Sequence, residues 1–449
     1  MPREIVPGTD FDYFLVAFDA EGRERREDGR LLTEQVLKEV ERRRATDVVL
    51  LSHGWNGDVP AVRHQYARWL TTMLGCEADQ AAMRDLVPDY RPLVIGLHWP
   101  SRAWGDEGLD GSGSFTAASR GDDEPPAAPV TVGDVVERYL DRLAESEVAR
   151  AALRTIVTAA LEDISPPTLP PEVREAYQVL DAEVGLAAEG EGADPAADRV
   201  PFDAEQAYQA ARSEEEDFEF GRAALGGVLA PLRMLTFWQM KRRARDFGRT
   251  GAHDLLRALQ KLDFDGRRLR LHLMGHSFGC IVTSAAVTGP PGGQPVRPVD
   301  SLVLVQGALS LWSYCSSIPH RPDRRGYFSR LVADELVAGP VVVTTSERDR
   351  AVGSFYPIGA GLRRQIDFGT ELPEYGGLGS FGMRGPGPRI EDLPMADAAD
   401  DYRFRSGTVY NLESSHVIRE GGGASGAHSD INRPEVAHAV WQAMACTAR

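Results

Sequence analysis

Residues 269–279 of the chain read LRLHLMGHSFG. The segment begins with a largely apolar run and ends with two glycines, Gly275 and Gly279, on either side of Ser277. The apolar run predicts a buried strand, and the small residues that follow at 279–288 predict a helix. Glycines at such a junction leave room for neighbouring backbone, as a sharp turn requires. The segment therefore predicts a strand–turn–helix unit.

Patterns of the same kind occur on both sides of this segment. Strands are predicted at 13–18, 48–51, 93–97, 269–274, 302–305, 341–345 and 408–412. Helices are predicted at 31–44, 62–74, 252–262, 279–288, 328–337 and 434–446. Strands that alternate with helices predict an α/β fold, with a mostly parallel central sheet and helices on both faces.

The alternation stops between residues 101 and 250. Within this stretch, 131–160 predicts a helix and 223–245 an apolar helix, whereas 183–217 is acidic and predicts a solvated or partly disordered segment. We interpret the stretch as a large, mainly helical insertion that forms a cap or lid. The predicted organisation has three parts: the N-terminal part of the α/β core at 1–100, the insertion at 101–250, and the C-terminal part of the core at 251–449.

The composition of the chain argues against several classes of partner. A formal net charge of −17 over 449 residues disfavours nucleic acid or an anionic membrane as the main partner. The four cysteines are scattered, which indicates neither a disulfide framework nor a zinc site. No apolar stretch reaches the length of a transmembrane segment, and the N-terminal residues lack the pattern of a signal peptide. We therefore expect a soluble cytoplasmic protein.

The residue at the centre of the glycine-flanked turn is a candidate nucleophile. G-x-S-x-G between a strand and a helix is the pattern of a nucleophile elbow, which would expose the hydroxyl of Ser277. The alternative is a nucleotide-binding loop, but neither G-x-x-x-x-G-K-[ST] nor G-x-G-x-x-G is present at this turn. A nucleophilic serine needs a histidine base, an acid that orients the base, and hydrogen-bond donors for an oxyanion.

Candidates for the acid and the base follow later strands. Asp349 lies in the loop after the strand at 341–345 and is the preferred acid, with Glu347 as the alternative nearer the strand end. His428 is the preferred base, because a Gly-rich loop before it could carry the ring back to Ser277. His416 is the alternative base. A further histidine, His438, lies inside the terminal helix, and we interpret it as a packing or surface residue.

Two backbone N–H groups are predicted to bind the oxyanion. One belongs to Phe278, directly after the nucleophile and at the start of a helix whose dipole favours negative charge. The other belongs to Trp55, because His53-Gly54-Trp55 follows an early strand. The alternative is that His53 and Gly54 only make a tight turn, and His53 itself is expected to be structural.

Several aromatic residues are candidates for a substrate pocket, although each could equally pack in the core. Phe237 and Trp238 lie in the apolar helix of the insertion, where they would suit an apolar acyl group. The full set of pocket candidates is Trp99, Phe237, Trp238, Trp312 and Phe355.

The chain resembles the α/β-hydrolase superfamily, and in particular its lipase-like and esterase-like members. The resemblance rests on His53-Gly54 after a strand, on the pentapeptide around Ser277, on Asp349 after a later strand and on His428 near the C-terminus. It covers about 1–100 and 250–449, and the order Ser–Asp–His is the order used in that superfamily.

This resemblance implies hydrolysis of a carboxylic ester, a small-molecule substrate, through an acyl-enzyme. His428 would deprotonate Ser277, Asp349 would stabilise the imidazolium, and water would release the acid. No metal or organic cofactor is implied. An acyltransferase, thioesterase or amidase could use the same three residues, because the choice of leaving group depends on the pocket. A non-catalytic protein with this fold is a further alternative, which the complete set of three residues disfavours.

Overall fold

The structure, a computed structural model, describes residues 3–27, 29–55, 59–101, 131–163, 165–186, 192–195, 197–217, 227–264, 266–293, 295–353, 372–422 and 425–448. Within these residues, nine strands form the central sheet. They are β1 (Arg3–Ile5), β2 (Asp12–Ala17), β3 (Asp47–Ser52), β4 (Pro92–His98), β5 (Arg270–His276), β6 (Ser301–Val305), β7 (Val341–Thr345), β8 (Ile390–Pro394) and β9 (Val409–Glu413).

The order of the strands in the sheet is β1-β2-β4-β3-β5-β6-β7-β9-β8. The edge strand β1 pairs antiparallel to β2, and every other neighbouring pair in this sheet is parallel. The strand before Ser277, β5, therefore lies in the middle of the sheet, between β3 and β6. Because parallel strands end at the same edge, the segments that follow β3, β5, β6 and β7 lie close together there.

Fourteen α-helices are found in the described part of the chain. They are α1 (Leu32–Arg43), α2 (Val59–Gly75), α3 (Glu77–Leu86), α4 (Val132–Arg142), α5 (Glu147–Glu162), α6 (Pro171–Val184), α7 (Ala204–Asp217), α8 (Ala230–Phe247), α9 (His253–Gln260), α10 (Gly279–Thr288), α11 (Ser329–Ala333), α12 (Arg350–Gly353), α13 (Leu378–Phe381) and α14 (Pro434–Cys446).

Helices cover both faces of the sheet, as the strand β3 illustrates. Val48 and Leu50 belong to an apolar cluster that includes side chains of α1, α8, α9 and α10. Val49 and Leu51, the alternate residues, belong to a second cluster with α2, α3 and α14. Alternate side chains of a strand point to opposite faces, so both faces of the sheet are buried. This confirms the predicted α/β class with a mostly parallel sheet.

The helices between β4 and β5 share an apolar cluster of their own. It contains side chains of α4, α5, α6, α7 and α8, including the fully buried Tyr139 and Trp238. Helix α8 contributes to two clusters, because Leu235 and Trp238 belong to this one while Met240 and Phe247 belong to a sheet cluster. The α8 helix therefore joins the other helices between β4 and β5 to the sheet.

Several elements differ from the sequence prediction. Strands β1 and β8 and helices α3 and α6 were not predicted, and Ala204–Asp217 forms helix α7 where a solvated or partly disordered segment was expected. Helix α6 carries ordinary boundary signals, since Pro171 begins it and Gly185 ends it in the left-handed conformation. Strand β8 is an edge strand with two adjacent charged residues, Glu391 and Asp392, and a terminal proline, so it lacks the apolar run of a central strand.

Candidate active site

Ser277 occupies a strained turn directly after the central strand β5. Its φ angle is +56°, a left-handed conformation that non-glycine residues seldom adopt and that costs about 1–3 kcal/mol. The turn is held by its own backbone, because Ser277 N–H donates to the Val305 carbonyl at 3.1 Å. A Cβ atom at Gly275 would lie 2.4 Å from the Gly279 carbonyl oxygen, and one at Gly279 would lie 2.2 Å from that of Ser52. Both glycines are therefore required by close backbone contacts.

A continuous set of hydrogen bonds joins Ser277, His428 and Asp349. The distance between His428 Nε2 and Ser277 Oγ is 2.8 Å, and that between His428 Nδ1 and Asp349 Oδ2 is also 2.8 Å. An ionised carboxylate can only accept, so Nδ1 carries the proton and the neutral ring accepts the Ser277 hydroxyl proton at Nε2. The structure thus brings the predicted nucleophile, base and acid together.

The alternative acid and base lie elsewhere. Glu347 is exposed, and its backbone N–H donates to Ser415 Oγ at 3.0 Å, outside the set of Ser277, His428 and Asp349. His416 is also exposed, in the segment that follows β9. Of the two histidines considered, His428 is the one that contacts Ser277.

Asp349 is fully buried and receives several hydrogen bonds. Its Oδ1 atom accepts from the Val352 N–H at 3.0 Å, and its Oδ2 atom accepts from Gln306 Nε2 at 2.8 Å as well as from His428. Its backbone forms an isolated antiparallel bridge with Gly426, which places the loop of His428 beside the loop of the acid. These contacts fix the direction of the carboxylate toward the imidazole.

His276, the residue before Ser277, contacts His428 from the other side. Its Nε2 atom donates to the His428 carbonyl at 3.0 Å, while Gln65 Nε2 donates to its Nδ1 atom at 3.2 Å. The two imidazole rings lie 5.0 Å apart, centroid to centroid. Burial and the neighbouring His428 lower the pKa of His276 to about 3, so the ring stays neutral at physiological pH.

The two predicted oxyanion residues lie beside each other near Ser277. A Cβ atom at Gly54 would lie 2.7 Å from the Cβ of Ser277, so the loop before Trp55 packs directly on the nucleophile. The Trp55 and Phe278 rings are stacked, with centroids 5.7 Å apart. No described residue accepts a hydrogen bond from the Phe278 N–H, at the start of α10. The Phe278 N–H lies at the N-terminus of a helix, where the helix dipole favours negative charge.

His53 is a fully buried structural residue of the same loop. Its Nδ1 atom donates to the Gly54 carbonyl at 2.8 Å, and its Nε2 atom accepts from the Trp99 N–H at 3.3 Å. Burial, with a smaller effect of His98, lowers the pKa of His53 to about 3. Trp99 stacks on the ring at 5.6 Å and is itself 0% exposed. Both residues therefore shape the loop from within, and a pocket role for Trp99 stays a prediction.

Among the other pocket candidates, Phe237 lies closest to the predicted oxyanion residues. Its ring contacts that of Phe278 at 5.1 Å and that of Trp55 at 5.6 Å, centroid to centroid, and it is partly exposed. Trp238, the next residue, is fully buried in the core of the inserted helices. There its ring lies 4.3 Å from Lys241 Nζ, and burial lowers the pKa of Lys241 to about 7.

The last two pocket candidates have no described contact with Ser277. Trp312 is buried in a small cluster, and its Nε1 atom donates to the carbonyl groups of Pro373 and Glu374. Phe355 lies outside the described residues.

A second set of serine, histidine and aspartate side chains lies at the opposite edge of the sheet. His272 Nδ1 is 2.8 Å from Ser301 Oγ, and His272 Nε2 is 3.1 Å from Asp47 Oδ1. Asp47 also accepts from Arg270. Asp47 and Ser301 are the first residues of β3 and β6, so this set lies at the amino ends of the strands, buried beneath the helices.

Sequence reasoning missed two residues that contact the set around Ser277. His276 was part of the quoted pentapeptide, but nothing in the pattern indicates that its ring reaches the His428 carbonyl. Gln306 directly follows β6, the strand between those that lead to the nucleophile and the acid. Its place at the carboxyl end of a parallel strand is the signal that could have found it.

Compared with known proteins, the chain matches no family model, no curated protein and no solved structure. Within the part of the chain that the structure describes, no helix has the length and apolar character needed to cross a membrane. The same described residues contain no group of three or more His, Cys, Asp or Glu side chains arranged to hold a metal ion.

Proposed function

We propose that the chain is a serine hydrolase with an α/β-hydrolase fold, which cleaves carboxylic esters through an acyl-enzyme. The observation that carries the proposal is the His428 ring, which hydrogen-bonds Ser277 Oγ through Nε2 and Asp349 Oδ2 through Nδ1. A base within hydrogen-bond reach of the hydroxyl, itself oriented by a carboxylate, is the arrangement that makes serine a nucleophile at neutral pH.

The proposed reaction begins when Ser277 Oγ attacks the ester carbonyl carbon and its proton passes to His428 Nε2. Negative charge then develops on the former carbonyl oxygen, where the Phe278 N–H and the Trp55 N–H would donate. The tetrahedral intermediate collapses, and His428 gives its proton to the departing alcohol. Water attacks the acyl-enzyme in the same way, with His428 as the base, and the carboxylic acid leaves.

The proposed roles of the supporting residues follow from their contacts. Asp349 stabilises the imidazolium that forms in both halves of the reaction, because its Oδ2 atom accepts the Nδ1 proton. The strained backbone of Ser277 keeps its hydroxyl at the turn, clear of the strand hydrogen bonds. The inserted helices would form the cap, and Phe237 of α8 would supply an apolar wall beside the oxyanion donors.

The proposal is tested by turnover of p-nitrophenyl esters of increasing acyl length, with two alanine variants. We expect Ser277→Ala to lose at least about 10³-fold in kcat, because the nucleophile is removed. Ser301→Ala is the matched control: it removes the serine of the second, buried set and should keep the activity of the wild type, with stability lower by about 1 kcal/mol. Equal activity of wild type and Ser277→Ala would refute the assignment, and a folded wild type without turnover of any ester would refute ester hydrolysis.

A further inference from the structure

Gln306 contacts the same carboxylate oxygen that holds the proposed base. Its Nε2 atom donates to Asp349 Oδ2 at 2.8 Å, and His428 Nδ1 lies 2.8 Å from that oxygen. The Gln306 side chain is fully buried, so no solvent competes for this hydrogen bond. A buried, charge-assisted hydrogen bond of this kind is stronger than one between neutral groups.

The orientation of the Gln306 amide is fixed by its neighbours. Thr344 Oγ1 donates to Gln306 Oε1 at 2.9 Å and accepts from the Gln306 backbone N–H at 3.0 Å. The oxygen of the amide therefore faces Thr344, and its N–H₂ group must face Asp349. The backbone of Gln306 has a φ angle of +46°, so the chain turns sharply after β6 at this residue. A glutamine in this conformation is strained, and it persists because these contacts hold it.

We propose that Gln306 is a positioning residue for the base, acting through Asp349; this inference rests on the proposed function. The Gln306 N–H favours the ionised carboxylate and fixes its Oδ2 atom in front of His428 Nδ1. Without that donor, Asp349 Oδ2 keeps only its contact with the imidazole, while the Val352 N–H still donates to Oδ1. Either the imidazole holds its proton more tightly or the carboxylate takes up a proton, and in both cases the neutral His428 facing an ionised Asp349 persists only at higher pH.

The chain offers a matched control outside the set of Ser277, with the same types of side chain in the same arrangement. Gln442 of α14 donates through Nε2 to Asp79 Oδ1 at 2.9 Å, and Asp79 Oδ2 lies 2.8 Å from His438 Nδ1. This is again a glutamine that supports an aspartate–histidine pair, in the packing between α14 and α3. Removal of the buried amide should therefore lower the stability of the protein at either site. An effect on the proposed base, His428, should appear only when Gln306 is replaced.

The experiment compares Gln306→Leu with Gln442→Leu and the wild type. In Gln306→Leu we expect kcat for a p-nitrophenyl ester to fall about tenfold with KM unchanged, because Gln306 does not touch the substrate. We also expect the acid limb of the pH dependence of kcat/KM to move to higher pH. Gln442→Leu should show neither change, although its melting temperature also falls.

A second measurement does not depend on turnover. The ring proton signals of His428, assigned with His428→Ala, are titrated by NMR in the wild type and in both leucine variants. We expect the midpoint to move to higher pH in Gln306→Leu and to stay in place in Gln442→Leu. An unchanged midpoint in Gln306→Leu, or the same shift in both variants, would overturn the inference even if the wild type hydrolyses esters. If the midpoint shifts in Gln306→Leu but the wild type hydrolyses no ester, the coupling is retained and the proposed function is rejected.

Discussion

Two sets of serine, histidine and aspartate show that residue types alone do not define a reactive site. In the set of Ser301, the serine lies in a strand, and the histidine side chain is 2% exposed. In the set of Ser277, the serine lies in a strained turn at the start of a helix, and the His428 side chain is 13% exposed. A substrate carbonyl needs an approach to the hydroxyl and donors for its oxygen, and of the two sets only the one at the turn combines a partly exposed histidine with the N-terminus of a helix.

The glycine before Trp55 is required by its distance to the nucleophile. A Cβ atom at Gly54 would lie 2.7 Å from Ser277 Cβ and 3.3 Å from Ser277 Oγ, so Gly54→Ala must displace the serine or the loop. We expect kcat/KM to fall about 100-fold, since misplacement of reacting groups by about 1 Å has an effect of that size. Steady-state kinetics on the best ester measures the loss.

Gly75→Ala is the control for this prediction. Gly75 ends helix α2, and apart from its chain neighbours and the backbone of its own helix no heavy atom of the described residues lies within 4 Å of a Cβ placed there, so the variant should keep full activity. If Gly54→Ala is as active as Gly75→Ala, the loop does not pack on the nucleophile as described.

At the scale of elements, the site depends on loops that follow parallel strands. Ser277 follows β5, Gln306 follows β6 and Asp349 follows β7, so the sheet itself brings three of the residues to one edge. His428 instead lies on a long segment between β9 and α14, whose position depends on contacts along the segment. Asp430, for example, accepts hydrogen bonds from the Arg419 and Glu420 N–H groups and pairs with Arg433. The position of His428 therefore also depends on helix α14, which follows this segment.

The histidine of α14 makes the stability of the protein depend on pH. Burial by itself lowers the pKa of His438, but hydrogen bonds to Asp79 and to the Asp400 carbonyl outweigh it, and the pKa is raised. The stabilisation is complete below the unfolded pKa of about 6.5 and is lost as the pH rises through the raised value. We expect the wild type to have a higher free energy of unfolding in urea than His438→Gln. The difference between the two proteins should be about 1 kcal/mol larger at pH 6 than at pH 9.

The exposed His416 provides the comparison for this pH effect. The free energy of unfolding of His416→Gln should depend on pH in the same way as that of the wild type. If the free energies of unfolding of the wild type and of His438→Gln change by the same amount with pH, His438 does not bind its proton more tightly in the folded protein. His438 was interpreted from the sequence as a packing or surface residue, and it is buried, with 2% of its surface exposed.

At the scale of the whole molecule, the sequence predicts the sheet better than its surroundings. The predicted strands agree with β2, β3, β4, β5, β6, β7 and β9 to within about two residues at each end, because buried parallel strands are unbroken apolar runs. The edge strand β8 was not predicted, because its Glu391 and Asp392 break any such run. Helix α3 was missed for a different reason: it follows α2 after a single residue.

The same limit applies to the candidate site. Ser277, Asp349 and His428 could be predicted because each follows a recognisable strand or precedes a recognisable helix in a known order. Gln306 and His276 could not, because their importance lies in which atoms they meet across the fold: the Asp349 carboxylate and the His428 carbonyl. The pocket aromatics were chosen by residue type, and Trp99 and Trp238 prove fully buried, since large apolar side chains fill cores as readily as pockets.

The most direct test of the central claim is covalent labelling of the folded protein with a fluorophosphonate. Attack by an activated serine forms an O–P bond and releases fluoride, so the modified residue identifies the nucleophile. Proteolysis and tandem mass spectrometry then locate the adduct. We expect a single adduct on Ser277 and none on Ser301, with labelling abolished in Ser277→Ala. An adduct on another residue, or no adduct on a protein whose circular dichroism shows it folded, would contradict Ser277 as the nucleophile.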